Sequence, residues 1–490
     1  MLPFDNRSGQ PSLEWIREAA AELLSSRFTS AGFAPMSRTD RMYALDHLGL
    51  PQGFQPSRAS SLRLAQTLDA DSIVVGSYVT DGTGIVAEAQ VVDVPHLRMS
   101  QPVSARGEMK DLVAVFDSLA WKLTKQLDPG FSVAEETFVA AGAGLRLDAF
   151  EQYIRGITEP DQEERLRHLK NAVQLNPAFS PAWMALGREA YNGQQYEQAA
   201  AAFAKVSRGD PDALEAGFYR GLSLLFSGDY PRAEQAFAGV ARILPLAQVV
   251  NNQGVAVSRR GGDGSALFRQ AVAADPNAAD YHFNLAVSLK RQHDAPEALA
   301  EIAQALRLRP ADSEAQALET EWKAPAAAAG GEPKADPLER IERNFDAVAF
   351  HQAALMMDQM EATRLAALSP RDRARKLAAE GRDYLDRGLL LDADRLYESA
   401  VAADGTVPEA HAGLAEVRER TGDADGARKE AHAALDLDPS AEAFVVLGRL
   451  DLAANRLSEA NDEADQALKL DPKSRAAVEL RGAIEARQKK

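Results

Sequence analysis

The sequence predicts a multidomain protein: a small α/β (α+β) amino-terminal domain over residues 1–130, followed by all-α solenoid repeats. Three observations lead there. Prolines closing similar helical phrases recur at Pro177, Pro211, Pro245, Pro276 and Pro310, spaced by 34, 34, 31 and 34 residues. The first 130 residues lack that period and carry short alternating apolar runs instead. A stretch of alanine, glycine and proline, APAAAAGGEPKADP at residues 324–337, then divides the helical part in two.

In the first domain, residues 12–28 form an amphipathic helix. Ser12 serves as its cap, and Leu13, Ile16, Ala20, Leu23, Leu24 and Phe28 supply the apolar stripe. Residues 2–4 read as a strand remnant and residues 32–36 as a short strand; residues 61–68 read as a helix. Strands follow at 72–79 and 85–94, joined by a turn at Asp81-Gly82-Thr83-Gly84, with a third at 97–103 and a closing helix at 109–127. The expected order is α-β-α-β-β-β-α, helices covering a small sheet.

Residues 131–144 read as a linker, and the first array spans 145–323. Its clearest pattern is Trp183, Leu186, Gly187, Ala199, Phe203 and Pro211. The next unit carries Gly221, Ala233, Phe237 and Pro245, and another carries Leu285, Ala286, Ala298, Ala305 and Pro310. Small residues let paired helices approach, while large ones fill the space between successive pairs. Each proline sits where one helix has ended and the next begins. The unit between Pro245 and Pro276 is short, with its turn at Arg259-Arg260-Gly261-Gly262-Asp263-Gly264; an earlier unit runs from 145 to 177 with Tyr153, Gly156 and Ala172. The period and these residues resemble the tetratricopeptide family, whose unit is a pair of antiparallel helices. That resemblance implies stacked hairpins with a concave binding surface.

After the linker at 324–337, residues 338–368 read as strongly helical, with Phe345, Phe350, Met356, Met357 and Met360 expected to pack on the following repeats. Three more units complete the region 338–490. Gly381, Ala393 and Tyr397 mark the first, and Leu414, Ala415, Ala427 and Pro439 the second. Leu447, Gly448, Ala460 and Pro472 mark the last, before an amphipathic cap helix.

Phrases of the amino-terminal domain carry a second resemblance. LPFDNRSGQPSLEWIREAAAELLSSRF is similar to the opening of TolB-type amino-terminal domains of bacterial envelope proteins, and LAQTLDADSIVVGSYVTDGTGIVAEAQVVDV to their central helix–strand–hairpin. The sequence departs from those relatives at its start, where a full strand would precede Pro3-Phe4. After the hairpin it has Leu97-Arg98-Met99 in place of an aromatic phrase. The resemblance implies an assembly or recognition role and supplies no catalytic residue.

Composition narrows the function. With 55 basic and 72 acidic residues the formal net charge is −17, which repels nucleic acid and anionic bilayers at long range. There is no run of ~20 apolar residues for a transmembrane helix. The absence of cysteine excludes disulfides and thiolate chemistry. The 8 histidines form no HExxH motif; His282 and His411 share an early first-helix position, so a repeated structural or groove-lining role is expected. Asp69, Asp71, Asp81 and Asp93 read as turn residues, and no phosphate loop, dinucleotide fingerprint or GxSxG appears.

The expectation is therefore a non-catalytic scaffold for proteins or peptides bearing basic groups, without cofactor, metal or nucleic acid. Groove candidates are Arg188, Tyr191, Asn251, Asn252, Asn284, Lys290, Arg418 and Arg449, since asparagine can read a peptide backbone and arginine or lysine a carboxylate. The alternative places several of them on the convex face. No leader follows Met1, yet residues 2–4 read as the tail of a truncated strand, so a periplasmic or envelope-facing protein is expected. A cytoplasmic scaffold positioning a separate enzyme is the alternative reading, and an enzyme with a site at the domain junction is the third.

Overall fold

Apolar alternation in the amino-terminal region builds a sheet, and helical period builds everything after it. The computed structural model describes all residues except 51–57, 81–82, 132, 141, 143, 208–209, 325–336, 387–389 and 489–490. The turn residues Asp81-Gly82, most of the 324–337 linker and the final Lys489-Lys490 thus lie outside the described residues. The chain forms two compact units: Met1–Thr158 with Thr363–Lys490, and Glu159–Ala362.

In the first unit, β1 (Asp5–Asn6), α1 (Trp15–Ser30), α2 (Arg38–His47) and α3 (Arg58–Thr67) precede β2 (Ser72–Thr80) and β3 (Gly84–Asp93). Then come β4 (Arg98–Met99), β5 (Val103–Glu108), α4 (Leu112–Leu127), α5 (Glu135–Ala140) and α6 (Leu147–Thr158). β1 runs parallel to β2, β2 pairs antiparallel with β3, and β4 and β5 both pair antiparallel with β3. α4 lays Leu112, Phe116, Leu119 and Leu123 into the core, with the Phe116 ring edge-on to Phe4 at 5.7 Å.

Three expectations need correction, and one helix is additional to them. Residues 32–36 make no strand, and the 97–103 strand is two, β4 and β5. α2, capped by Ser37 and Asp40, escapes the sequence pattern because its apolar face is narrow. The first helix starts at Trp15 after a 3-10 turn at Pro11–Leu13, so Ser12 does not cap it.

The same unit holds α18 (Pro370–Asp386), α19 (Leu390–Ala403), α20 (Pro408–Thr421), α21 (Ala424–Leu437), α22 (Ala441–Ala453), α23 (Leu457–Leu470) and α24 (Arg475–Gln488). α5 packs against α19 and α20, with the Thr137 and Thr421 hydroxyls 3.1 Å apart.

The second unit holds α7 (Gln162–Leu175), α8 (Ser180–Asn192), α9 (Tyr196–Phe203), α10 (Ala213–Phe226), α11 (Tyr230–Ala241) and α12 (Ala247–Arg259). They are followed by α13 (Ser265–Ala274), α14 (Ala279–Arg291), α15 (Ala295–Leu308), α16 (Ser313–Lys323) and most of α17 (Ala347–Ala366). Gly187 and Gly221 explain the small–large code: a Cβ on either would come 2.7 Å from the ring of Phe203 or Phe237 on the second helix of its hairpin. The glycine-rich turn after Arg259 is a shortened hairpin connection.

The helix expected from residue 338 begins only at Ala347; residues 337–346 are non-helical and form a strap. Met356 and Met360 are exposed, against the expectation that they pack on the following repeats.

Candidate peptide-binding groove

The first helices of three successive hairpins, α10, α12 and α14, each present a polar residue two positions before the small packing residue. These are Tyr219 before Gly221, Asn252 before Gly254 and Asn284 before Ala286. On a helix that offset turns the side chain away from the hairpin partner and along the stack of first helices. All three reach the main chain of the strap.

Asn284 donates to the Arg340 carbonyl at 2.8 Å and accepts from the Arg340 N–H at 2.7 Å. One repeat earlier, Asn252 donates to the Glu342 carbonyl at 2.8 Å and accepts from the Glu342 N–H at 3.0 Å. Tyr219 continues the row, its hydroxyl hydrogen-bonded to the Phe345 backbone. Asn251 joins the two clamps by donating to the Arg340 carbonyl at 3.2 Å and accepting from Asn284 at 2.8 Å. Residues 340 and 342 face the same helices because an extended chain repeats every two residues. Asn251, Asn252 and Asn284 have no solvent exposure, so an empty groove would leave polar groups seeking water.

Side chains of the strap divide by charge. Glu339, only 3% exposed, accepts from Ser258 and Arg291 and lies 3.7 Å from Arg259. The Arg259 guanidinium also donates to the Glu339 carbonyl at 2.9 Å, and that of Arg291 to the Pro337 carbonyl at 2.8 Å. Arg340 pairs with Asp312 at 2.5 Å, Asp280 at 2.8 Å and Glu314 at 3.0 Å, and its guanidinium lies 3.6 Å above the Phe283 ring. Burial opposes the Arg340 charge, yet the hydrogen bonds it donates to these carboxylates hold its pKa above the ordinary arginine value. The hydrogen bond from Arg340 holds Asp312 below the usual carboxylate range, against the effect of burial. Farther along, Phe345 lies 5.7 Å from Phe218 and 4.0 Å from Phe350, anchoring the end of the strap in the hairpin core.

The other groove candidates have local partners. Arg188 pairs with Glu215 at 2.7 Å, and Tyr191 packs among Tyr196, Tyr219 and Phe226. Lys290 lies over Trp322 at 5.5 Å. Arg418 bridges Glu398 and Glu430 at 3.3 and 3.2 Å, and Arg449 meets Glu419 at 3.4 Å. Sequence reasoning missed the strap itself, together with Ser258, Arg259, Arg291 and Tyr219. His282 and His411 do share one role: each pairs across its hairpin, with Glu301 at 2.6 Å or Glu430 at 2.7 Å, and with the carbonyl of Pro276 or Gly405 at 3.1 Å.

The tetratricopeptide repeat family matches residues 184–247, 258–313, 378–442 and 445–490. The two helical arrays are built of tetratricopeptide repeats. They follow an amino-terminal region of mixed α/β structure. Solved structures similar to the tetratricopeptide part include YrrB, described as a protein of this repeat type with an unusual peptide-binding site. It is 15% identical, covers 41% of this chain and 99% of its own, and has a TM-score of 0.31. MamA from Desulfovibrio magneticus RS-1 is 20% identical, covering 37% and 99%, with a TM-score of 0.30. A thermophilic protein of this repeat type from Thermus thermophilus is 17% identical, covering 36% and 98%, with a TM-score of 0.26. No curated protein sequence is significantly similar to the chain. Among the described residues, no group of three or more His, Asp or Glu could hold a metal ion, and no helix is long and apolar enough to cross a membrane.

Proposed function

We propose that this protein is a recognition scaffold whose first tetratricopeptide array takes an extended peptide along α10, α12 and α14. The observation that carries the reading is the pair of two-bond clamps made by Asn252 and Asn284 on alternate main-chain residues. Main-chain recognition of this kind accepts many sequences, and side-chain pockets then select among them. Asp280, Asp312 and Glu314 around Arg340, together with the net charge of −17, favour partners bearing basic groups. Proximity labelling in the native host, followed by binding of the captured partner's segments to the intact chain, tests this. In a chain whose strap is already loosened by E339Q/R340Q, adding N252A/N284A is expected to weaken binding at least ~10-fold, since each lost clamp leaves buried main-chain groups unpaired. Equal binding would overturn the reading.

The amino-terminal region serves in this proposal as a second docking module, and the protein works in the bacterial envelope. Its support is the resemblance of residues 1–130 to TolB-type amino-terminal domains. Fractionation of the native product tests the location, and recovery from the cytosol alone would reject it.

A further inference from the structure

The strap fills its groove with polar contacts as well as with Ile341 and Phe345, which pack against the hairpin core. Its main chain is held at alternate residues, and its buried Glu339 and half-buried Arg340 are sorted into opposite pockets, Glu339 to Arg259 and Arg291 and Arg340 to Asp280 and Asp312. Buried ion pairs contribute little net stability against an apolar filling of the same volume, but they discriminate sharply between sequences. Among the described residues of its unit, none covers the strap's outer edge at three positions: Leu338 is 65% exposed, and Arg343 and Asn344 are exposed as well. Residues 337–343 can therefore leave without displacing another described element, while Phe345 keeps its place beside Phe350.

The strap is also tethered. Residues 324–337, rich in alanine, glycine and proline, join it to α16. A short tether gives an intramolecular occupant an effective concentration on the order of millimolar, so any ligand from outside must compete against it.

On the reading of this groove as a peptide site, we propose that its partner is an extended segment of another protein carrying an acidic residue followed directly by arginine, and that residues 337–346 are the tethered competitor for that segment. Ile341 packs against the hairpin core and Glu342 is held by its main chain, so the required chemistry is an acid–arginine pair followed directly by an apolar residue.

The test uses the full chain and a fluorescein-labelled peptide, PLERIERNFD. E339Q/R340Q weakens the strap's hold while leaving every groove residue intact. This variant is expected to bind the peptide at least ~10-fold more tightly than the native chain, because it removes the competitor. A peptide with Gln-Gln in place of Glu-Arg is expected to bind at least ~10-fold more weakly than PLERIERNFD. Equal affinity of variant and native chain would overturn the competitor while leaving the peptide-site reading intact, because that reading stands or falls on N252A/N284A. Equal binding of the two peptides would overturn the acid–arginine requirement. Absence of binding to a variant whose circular dichroism matches the native chain would overturn the proposal as a whole. If the variant melts early, the native chain decides the matter: excess isotopically labelled PLERIERNFD should speed amide exchange at the chain's own residues 340 and 342, and unchanged exchange would count against competition.

Discussion

The two tetratricopeptide arrays share a hairpin plan and differ at two positions in it. In the first array, the residue two before the small packing residue is Tyr219, Asn252 and Asn284 in three successive repeats. In the second, the same position is Ala379, Gly413 and Val446. The first set hydrogen-bonds a strap; the second offers no side-chain donor or acceptor. The strap's main chain is thus held through one position per repeat, joined by Asn251 in the middle one, apart from the packing that makes the hairpin. The packing itself also differs. The small residue meets Phe203, Phe237 or Ile302 on the second helix of the first array, whereas the later hairpins of the second array place Ala431 and Ala464 there. Gly448 compensates by receiving Leu480 from α24, since a Cβ on it would come 2.6 Å from that side chain.

The largest effect should separate these two cores. Phe237 is fully buried among Phe218, Leu222, Ala233 and Val255. Phe237→Ala is expected to cost about 3–5 kcal/mol, through lost burial and the cavity left behind. Ala431→Gly, at the matching position of the alanine-rich core, should cost only about 1 kcal/mol, mainly backbone entropy. Guanidinium unfolding of each variant checks the contrast. Equal losses would mean that the large residue does not organise the first array.

The next effect concerns the groove. Asn252→Ala strands the Glu342 N–H and carbonyl unless water replaces the clamp, a cost of about 1–3 kcal/mol that favours strap release. Hydrogen exchange at residues 340 and 342 should quicken by ~10-fold or more. Val446→Ala, the same position in the second array, should leave that exchange unchanged.

Much of this was legible in sequence because packing imposes period. Gly187 with Phe203 and Gly221 with Phe237 recur at fixed spacing because the ring needs the missing Cβ. Asn251, Asn252 and Asn284 were legible as polar residues on first helices. Their occupant was not, since Arg340 lies 56 positions from Asn284 and Glu342 lies 90 from Asn252. The strap's Leu338, Ile341 and Phe345 also have helix-compatible spacing, which hides an extended segment. Arg188, Arg418 and Arg449 met nearby carboxylates, a choice that depends on neighbouring helices and cannot be read from one. The sharing of one unit by residues 1–158 and 363–490 is likewise a long-range fact with no local signature.

A smaller prediction uses the two matching histidines. The hydrogen bond to Glu430 raises the His411 pKa against the opposing effect of burial, and the same bond lowers that of Glu430. The histidine's contribution is full below its unfolded value of about 6.5 and is lost as pH rises through the higher folded value. The glutamate's contribution is present above about 4.3 and is lost as pH falls through its depressed folded value. His411→Gln should therefore destabilise by about 1–2 kcal/mol near pH 6, with the difference from the native chain narrowing toward pH 9. Melting across that range checks it. His282→Gln in the first array removes the same two contacts, and a loss of similar size there would extend the role to both arrays.

The smallest effects should come from two arginines, Arg188 exposed and Arg449 half-buried, and they test whether either array uses them for more than local pairing. Arg188 pairs with Glu215 in the first array, and Arg449 with Glu419 in the second. Arg188 keeps 45% of its side chain in solvent and Arg449 30%, so each substitution to alanine is expected to cost no more than about 1 kcal/mol. Burial raises the pKa of Glu215 and of Glu419, and the partner arginine only partly offsets it. The arginine therefore stabilises the ionised carboxylate, and its contribution is greatest at neutral pH. As pH falls and the carboxylate protonates, each alanine variant should converge on the native stability. Parallel melting of R188A and R449A at pH 7 and pH 4 measures both. A loss that persists at low pH would mean that the aliphatic stem of the arginine, not its charge, is what the neighbouring helix needs.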